Sequence, residues 1–295
     1  MLRLHPMHRI GRQSISSTTQ LAGVIGWPVA HSRSPLLHNH WLRQYELDGA
    51  YVPLPVRPGM LGDAVRGLRA AGFRGCNITL PHKEEAARLC TTLDPAAQAA
   101  GACNTLVFDE DEIRGSATDG PGFVASLVEA GVDPAAGPAL VLGAGGAARC
   151  IAHALRAAGA PAVLVANRGS ARAKALAAAV PGIEVAPWDA RVGLLAEAAL
   201  LVNATSAGMD RQPPLDMPLD QAPPALAVAD IVYAPRETAL LAEARARGLR
   251  AIEGIGMLLH QARPGFAAWF GTWPAADAAA RAALLGEVQG EEACA

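Results

Sequence analysis

The N-terminal part of the chain alternates short apolar runs with amphipathic segments. Apolar residues recur there first at strand spacing and then at helical spacing, with glycine or proline between the segments. The predicted strands are 21–25, 51–56 and 73–78, and the predicted helices are 35–45, 60–71 and 83–89. Such alternation is typical of a mainly parallel sheet that is covered by helices on both faces.

The middle of the chain has a different pattern. Two apolar runs, 101–108 and 113–115, are separated by the acidic turn Asp109-Glu110-Asp111, which predicts a β-hairpin. The segment Asp119-Gly120-Pro121-Gly122 then leads into a predicted helix at 123–130. The glycine and proline content of this stretch is typical of a hinge between two domains.

A glycine-rich turn follows the hinge. The apolar run 139–142 ends in Gly143-Ala144-Gly145-Gly146-Ala147, and a helical pattern begins directly after it. Gly143 permits a sharp turn, Gly145 lets a pyrophosphate approach the backbone, and Ala148 lets the helix lie close to the strand. Because the free N–H groups of the helix start would face the phosphates, we predict a dinucleotide-binding βαβ unit.

Alternation of strands and helices continues to the C-terminus. The predicted strands are 162–166, 183–187, 199–203, 227–232 and 250–252, and the predicted helices are 150–158, 170–179, 237–247, 257–270 and 275–288. Open α/β sheets bind ligands at the carboxyl ends of their strands, which makes the loop 204–209 a candidate ligand loop. The whole pattern predicts an α/β fold of two domains, the second of them Rossmann-type.

Composition narrows the class of protein. A chain of 295 residues with 51% hydrophobic residues is long enough for two buried cores. A net charge of −2 gives no reason to expect nucleic acid or an anionic membrane as a partner. The five cysteines form no C-x-x-C pair, which favours a reduced, cytoplasmic protein. Residues 1–20 are polar and lack the apolar core of a secretory signal, so we expect a disordered leader there.

Polar residues at two predicted strand-to-helix connections are candidates for chemistry. Ser32 and Ser34 could bind a carboxylate, although Ser34 could instead cap the helix that begins at Pro35. Thr79 follows the strand 73–78, and Lys83 lies in the first turn of the next helix. The helix dipole disfavours a cation at that position, which predicts a lowered pKa for Lys83 and suits acid/base catalysis.

Asn104 and Asp119 are the next candidates. Asp119 precedes a predicted helix and could be an N-cap, or it could form a proton-transfer pair with Lys83. Four histidines, His31, His38, His40 and His82, match no zinc-binding spacing, and we therefore expect no metal site.

The end of strand 162–166 bears on the choice of cofactor. Rossmann units that prefer NAD usually place an acid about 20 residues past the glycines, whereas Asn167-Arg168 stands here. Arg168 would attract the 2′-phosphate of NADP, and Arg172 could approach it from the first turn of the following helix. Both arginines could instead be solvated residues at a helix start.

Taken together, these segments resemble the shikimate dehydrogenase family from about Gly23 to Gly271. The motifs that carry the resemblance are His31-Ser32-Arg33-Ser34-Pro35, Asn77-Ile78-Thr79-Leu80-Pro81-His82-Lys83, Gly101-Ala102-Cys103-Asn104-Thr105, Thr118-Asp119-Gly120, the glycine-rich turn, Asn167-Arg168, Asn203-Ala204-Thr205-Ser206, Val232-Tyr233-Ala234-Pro235 and Gly256-Met257-Leu258-Leu259-His260-Gln261.

The resemblance implies an activity and a set of site residues. Family members reduce 3-dehydroshikimate to shikimate with NADPH, and Lys83 and Asp119 occupy the catalytic positions. The implied substrate-binding residues are Ser32, Ser34, Thr79, Lys83, Asn104, Asp119, Tyr233 and Gln261. The implied cofactor-binding residues are Gly143, Ala144, Gly145, Gly146, Ala147, Asn167, Arg168, Arg172, Thr205, Gly254 and Met257.

The resemblance also implies the division into domains and the assembly. Residues 21–118 with 257–295 would form the domain that binds substrate, and 119–256 the NADP-binding domain, with a cleft between them. We expect a small-molecule substrate and a monomer or homodimer.

Three residues depart from the family pattern. Ala117 and Trp27 both stand where Asn is common, and Gly169 stands where Thr is usual after Asn-Arg. Two alternatives stay open on this evidence: an NAD-dependent quinate or shikimate dehydrogenase, and a non-catalytic regulator that binds shikimate on the same fold. The presence of both Lys83 and Asp119 favours an enzyme, because a binding module needs no proton-transfer pair.

Overall fold

The computed structural model describes residues 15–286, which form two six-stranded sheets. The N-terminal sheet has the order β2-β1-β3-β5-β6-β4. Its strands are β1 Gln20–Gly26, β2 Gly49–Pro55, β3 Gly75–Ile78, β4 Thr92–Leu93, β5 Thr105–Phe108 and β6 Ile113–Ser116, and its helices are α1 Ser34–Gln44, α2 Leu61–Ala70, α3 Lys83–Leu89 and α4 Pro95–Ala100. Strands β1, β2 and β3 are parallel, and β5 with β6 forms the predicted hairpin.

The C-terminal sheet is parallel throughout the described residues, in the order β12-β11-β10-β7-β8-β9. This is the doubly wound order of dinucleotide-binding domains, with the reversal between β7 and β10. Its elements are α5 Asp119–Glu129, β7 Ala139–Leu142, α6 Gly146–Ala157, β8 Val163–Ala166, α7 Ser170–Ala179, β9 Ile183–Ala186, β10 Leu200–Asn203, β11 Ala227–Asp230, α8 Ala239–Ala246 and β12 Arg250–Ile252, and the chain ends with α9 Gly254–Phe270 and α10 Ala278–Leu285.

Helices α5 and α9 pack together where the two halves of the chain meet. Gly122 of α5 allows this contact, because a Cβ atom there would lie 2.7 Å from the backbone N of Gln261. Helix α9 serves both cores: Met257 packs beside the C-terminal sheet, whereas Leu259 and Phe266 pack beside the N-terminal one.

Several element bounds differ from the sequence predictions. We did not predict β4 or α4, although Asp94 caps α4 by accepting a 2.6 Å hydrogen bond from the Ala97 N–H, and Gly101 ends it at φ 60°. Aspartate, proline and a later glycine were the signal for this helix. Helices α5 and α9 begin three or four residues before their predicted starts, at Asp119 and Gly254.

The ends of the chain are only partly described. Residues 1–14 of the predicted leader, and the last two residues of the predicted helix 275–288, lie outside the described range. Residues 15–20 belong to the fold, since Thr18 and Thr19 donate hydrogen bonds to the Asp48 carboxylate and Gln20 begins β1. Within residues 15–286, no helix is both long and apolar enough to cross a membrane.

Candidate active site

Lys83 and Asp119 form a buried ion pair at the centre of the site. Lys83 is the first residue of α3, just beyond the carboxyl end of β3, and Asp119 is the first residue of α5. The Lys83 Nζ lies 2.5 Å from the Asp119 Oδ2, and the two side chains are 12% and 6% exposed. The N-cap alternative for Asp119 is wrong, because Thr118 occupies the cap position and the carboxylate binds Lys83 instead.

The electrostatics of Lys83 also differ from the sequence prediction. Burial lowers its pKa, but the charge of Asp119 and the hydrogen bond to it raise the pKa more, and the net shift is upward. The predicted downward shift is therefore wrong, because it considered the helix dipole without the partner. The Asp119 carboxylate therefore favours the ammonium form of Lys83.

Asn104 organises the polar groups beside this pair. Its Oδ1 accepts a 2.7 Å hydrogen bond from the Thr118 N–H. Its Nδ2 donates to the Thr118 Oγ1 at 2.8 Å and to the Gln261 Oε1 at 3.0 Å. Asn104 therefore connects the hairpin, the start of α5 and helix α9, and brings Gln261 to the site from the far end of the chain.

Two residues that the sequence analysis left out of the site support Asn104. The Tyr51 hydroxyl donates a 2.6 Å hydrogen bond to the Asn77 Oδ1. The Asn77 Nδ2 donates in turn to the Asn104 carbonyl at 3.1 Å and to the Thr105 Oγ1 at 3.0 Å. A polar residue inside the apolar run 73–78 was the available signal for Asn77, since buried polar groups need partners.

The two serines and Tyr233 complete the set of polar residues near Lys83. Helix α1 begins at Ser34 itself and has Arg33 at its N-cap position without a side-chain cap, so the cap alternative for Ser34 is wrong. Ser34 is 5% exposed, and its hydroxyl interacts with Tyr51. Burial raises the pKa of Tyr233, while the nearby Lys83 and Ser32 act in the opposite direction.

Thr79 is the last of the predicted substrate residues. It follows β3 directly and packs against Gly26 at the end of β1. A Cβ atom at Gly26 would lie only 2.5 Å from the methyl carbon of Thr79. The half-buried Thr79 therefore lies where the carboxyl ends of β1 and β3 meet.

The glycine-rich turn has the conformation that the sequence predicted. Gly143 has φ 115°, and a Cβ atom there would lie 2.7 Å from the Ala204 carbonyl oxygen. A Cβ atom at Gly145 would meet nothing within 4 Å, which leaves open space for a ligand phosphate. A Cβ atom at Gly146 would lie 2.9 Å from the Lys83 Cβ, so the turn faces the start of α3 directly. Ala144 is buried and Ala147 is half-buried beside them.

The residues predicted to bind the adenosine phosphate stand at the far end of the same unit. Asn167 follows β8, and its Nδ2 donates a 2.9 Å hydrogen bond to the Gly169 carbonyl. Arg168 and Arg172 are exposed there, Arg172 in the first turn of α7. Both guanidinium groups therefore remain accessible to an anion.

The loops after β10 and β11 are held by Asp230, which the sequence analysis missed. Its carboxylate accepts hydrogen bonds from the Asn203 Nδ2 at 3.0 Å, the Val232 N–H at 2.9 Å and the Thr238 Oγ1 at 2.8 Å. Asn203 also accepts a 2.7 Å hydrogen bond from the Thr205 hydroxyl. Burial raises the pKa of Asp230.

Gly254 and Met257 lie at the start of α9. A Cβ atom at Gly254 would be 2.5 Å from the Ile231 carbonyl oxygen. Close packing against this backbone therefore explains why the position is a glycine. Met257 is 7% exposed and packs in the core beside the C-terminal sheet.

The histidines form no metal centre in the part of the chain that the structure describes, where no three His, Cys, Asp or Glu side chains are grouped to hold an ion. The His82 ring lies 2.8 Å from the Val56 carbonyl oxygen. His38 stacks on Tyr51 at 4.0 Å between ring centroids, and burial lowers its pKa to about 3.

A doubly wound sheet with an open glycine-rich turn, set against a buried lysine–aspartate pair, defines a dinucleotide-dependent dehydrogenase of the α/β class. Two family models match the chain: the shikimate dehydrogenase substrate binding domain over residues 24–106, and shikimate / quinate 5-dehydrogenase over residues 130–212. The chain belongs to the shikimate dehydrogenase family.

Individual relatives agree with this assignment. The shikimate dehydrogenase (NADP(+)) of Acidiphilium cryptum is 55% identical over 94% of this chain and 99% of its own length. The shikimate 5-dehydrogenase of Thermus thermophilus in complex with NADP(H) and shikimate has a TM-score of 0.83 at 39% identity, over 91% of this chain and 99% of that one. The quinate dehydrogenase of Corynebacterium glutamicum in complex with NAD has a TM-score of 0.84 at 28% identity. That match covers 91% of this chain and 99% of the quinate dehydrogenase chain.

Proposed function

We propose that this protein catalyses the reversible NADPH-dependent reduction of 3-dehydroshikimate to shikimate, a step of aromatic amino-acid biosynthesis. The observation that carries the proposal is the Lys83–Asp119 pair, which is buried directly opposite Gly146 of the glycine-rich turn. A proton donor and a nicotinamide must both reach one carbonyl group, and the closeness of Lys83 to the glycine-rich turn supports two adjacent sites of this kind.

Lys83 and Asp119 act on the proton. NADPH, when bound, supplies the hydride to the carbonyl carbon. The Lys83 ammonium donates a proton to the carbonyl oxygen as negative charge develops there. Asp119 keeps Lys83 protonated beforehand and orients its Nζ, and in the reverse direction the neutral amine accepts the proton of the substrate hydroxyl.

The remaining polar residues position the substrate. Ser32 and Ser34 bind its carboxylate. The ring hydroxyls are held by Thr79, Asn104, Tyr233 and Gln261. The three hydrogen bonds that join the Asn104 carboxamide to Thr118 and Gln261 support this role, because a carboxamide held in one orientation can discriminate between hydroxyl positions. Residues 21–118 with 257–295 serve as the substrate domain, and 119–256 as the cofactor domain.

The glycine-rich turn, Thr205, Gly254 and Met257 contribute to the cofactor site. The adenosine 2′-phosphate is bound by Asn167, Arg168 and Arg172. The exposure of the two arginines and the absence of Asp and Glu between 163 and 172 support this role.

We further propose a monomer or homodimer in a reducing cytoplasm, in keeping with the free state of Cys76, Cys90, Cys103 and Cys150.

Steady-state kinetics with shikimate and quinate, each against NADP and NAD, test the proposal. We expect the highest kcat/KM for shikimate with NADP. A higher kcat/KM for quinate with NAD would transfer the protein to the quinate-oxidising alternative. Binding of shikimate without turnover would support the non-catalytic regulator instead.

A further inference from the structure

Three helices converge at the side chain of Glu84. This residue follows Lys83 in α3, and its Oε1 lies 3.6 Å from the Arg172 Nη2 of α7 and 3.9 Å from the Arg149 Nε of α6. The carboxylate is 40% exposed. One carboxylate on the N-terminal sheet's side of the molecule therefore faces two arginines of the dinucleotide-binding unit.

Arg149 is the less solvated of the two arginines. It lies in the first turn of α6, directly after the glycine-rich turn, and its side chain is 12% exposed. Its Nε is buried and has no hydrogen-bond partner among residues 15–286. At 3.9 Å, Glu84 supplies charge to Arg149 without satisfying this N–H, which leaves Arg149 able to accept a better-placed anion.

We propose that Glu84 moderates the preference for NADP by competing with the adenosine 2′-phosphate for the guanidinium groups of Arg172 and Arg149. The inference rests on the proposed function, which assigns Arg172 to the 2′-phosphate. The carboxylate neutralises part of the arginine charge before the cofactor binds. A phosphate dianion that approaches Arg172 meets this negative charge and must displace it or share the arginine with it.

The competition acts on NADP and not on NAD. NAD has a hydroxyl where NADP has the phosphate, and a neutral hydroxyl feels one nearby carboxylate far less than a dianion does. Removal of the Glu84 charge should therefore strengthen NADP binding and leave NAD binding unchanged. Because Glu84 and Arg172 are partly exposed, we expect an effect of about two- to fivefold at low salt.

Glu84→Gln and Glu85→Gln form the matched pair for the test. Glu85 lies in the same helical turn and forms no ion pair within the described residues, so the two variants change net charge equally. The probes are adenosine 2′,5′-bisphosphate and adenosine 5′-monophosphate, measured by calorimetry, which requires no turnover. Glu84→Gln should bind the bisphosphate about two- to fivefold more tightly than wild type, bind the monophosphate equally, and lower KM for NADP with kcat unchanged.

Salt provides a second measurement. The Debye length falls from about 10 Å at 0.1 M to about 3 Å at 1 M ionic strength, so the difference between Glu84→Gln and wild type should vanish as salt is added. Glu84→Ala should behave as Glu84→Gln does, which separates loss of charge from any new contact of the glutamine amide.

The outcomes distinguish this inference from the cofactor assignment beneath it. If Arg172→Ala weakens bisphosphate binding while Glu84→Gln behaves like Glu85→Gln, the cofactor assignment stands and the role of Glu84 is overturned. Weaker bisphosphate binding by Glu84→Gln would also overturn it, since Glu84 would then orient the arginines. If Arg172→Ala leaves bisphosphate binding unchanged, the assignment of the 2′-phosphate site itself is wrong.

Discussion

The two halves of the proposed active site hold their charges in opposite ways. At the substrate end, Lys83 is 12% exposed and bound to Asp119, and the neighbouring carboxamides are fixed by short hydrogen bonds. At the cofactor phosphate end, Arg168 and Arg172 are exposed, and the Glu84 contacts are longer than hydrogen bonds. The structure is thus preorganised at the proposed proton-transfer pair, whereas at the proposed phosphate end Arg168 and Arg172 stay solvated and only Arg149 is largely buried.

This difference has a physical reason. Proton transfer requires a donor that stays oriented in a poorly solvated place, and reorganisation at the moment of reaction would cost rate. A phosphate-binding arginine gains its partner from the ligand, and a buried unpaired guanidinium would destabilise the free protein. Substitutions at the buried pair should therefore affect the rate, and substitutions at the exposed arginines should affect cofactor binding.

Lys83→Ala should have the largest effect. We expect kcat to fall about 10²–10⁴-fold, as for loss of a positioned proton donor, with a much smaller change in the KM for shikimate. Lys174→Ala is the control, because Lys174 is exposed on α7. Near-normal kcat in Lys83→Ala, measured by steady-state turnover, would remove Lys83 from the mechanism.

Asp119→Asn should change the pH dependence as well as the rate. In wild type, the pKa of Lys83 is raised above the ordinary lysine pKa of 10.5, so the ion pair stabilises the folded protein at pH values below 10.5. This stabilisation is lost as the pH rises through the higher pKa that Lys83 has in the folded protein. The neutral Asn leaves burial as the main influence, so the pKa of Lys83 should fall.

Two measurements follow from that change. The rise of kcat with pH in shikimate oxidation, which needs neutral Lys83, should move to lower pH in Asp119→Asn. The alkaline loss of thermal stability should become less steep than in wild type. An unchanged pH profile together with a lower kcat would mean that Asp119 does not control the protonation of Lys83.

Arg168→Ala tests the exposed end. Loss of one charge-assisted hydrogen bond should raise KM for NADP about tenfold, leave KM for NAD nearly unchanged, and thereby erode the preference for NADP. Arg88→Ala removes the same charge from an exposed position on α3 and serves as the control. If the NADP/NAD ratio of kcat/KM were the same in Arg168→Ala as in wild type, the 2′-phosphate would bind elsewhere.

Tyr51→Phe should have the smallest effect. It removes the hydroxyl that donates to Asn77 and keeps the ring that stacks on His38. We expect a loss of about 0.5–1.5 kcal/mol in the free energy of unfolding and a few-fold fall in kcat/KM, because Asn77 supports Asn104.

Tyr45→Phe makes the same chemical change outside the network, where the hydroxyl accepts a hydrogen bond from the Ala275 N–H. Its stability should fall similarly while kcat/KM stays at the wild-type value. Equal kinetic losses in the two variants would show that Tyr51 acts only through global stability.

Local patterns in the sequence determined the framework of this protein. The strand, glycine-rich turn and helix around Gly143 follow from the backbone freedom of glycine, and the hairpin of β5 and β6 follows from a short acidic turn between apolar runs. The first residue of α3 was also predictable, because the break at Pro81 lies immediately before an amphipathic run. These features depend on residues that are close together along the chain.

Tertiary structure decided the chemistry of the site. Asp119 lies far from Lys83 along the chain, and only the folded arrangement of the two helix starts brings its charge to Nζ and turns the expected fall in the Lys83 pKa into a rise. The approach of α6 and α7 to α3 likewise places Arg149 and Arg172 near Glu84. Charge interactions depend on distance and burial, which a single sequence does not reveal for residues on separate elements.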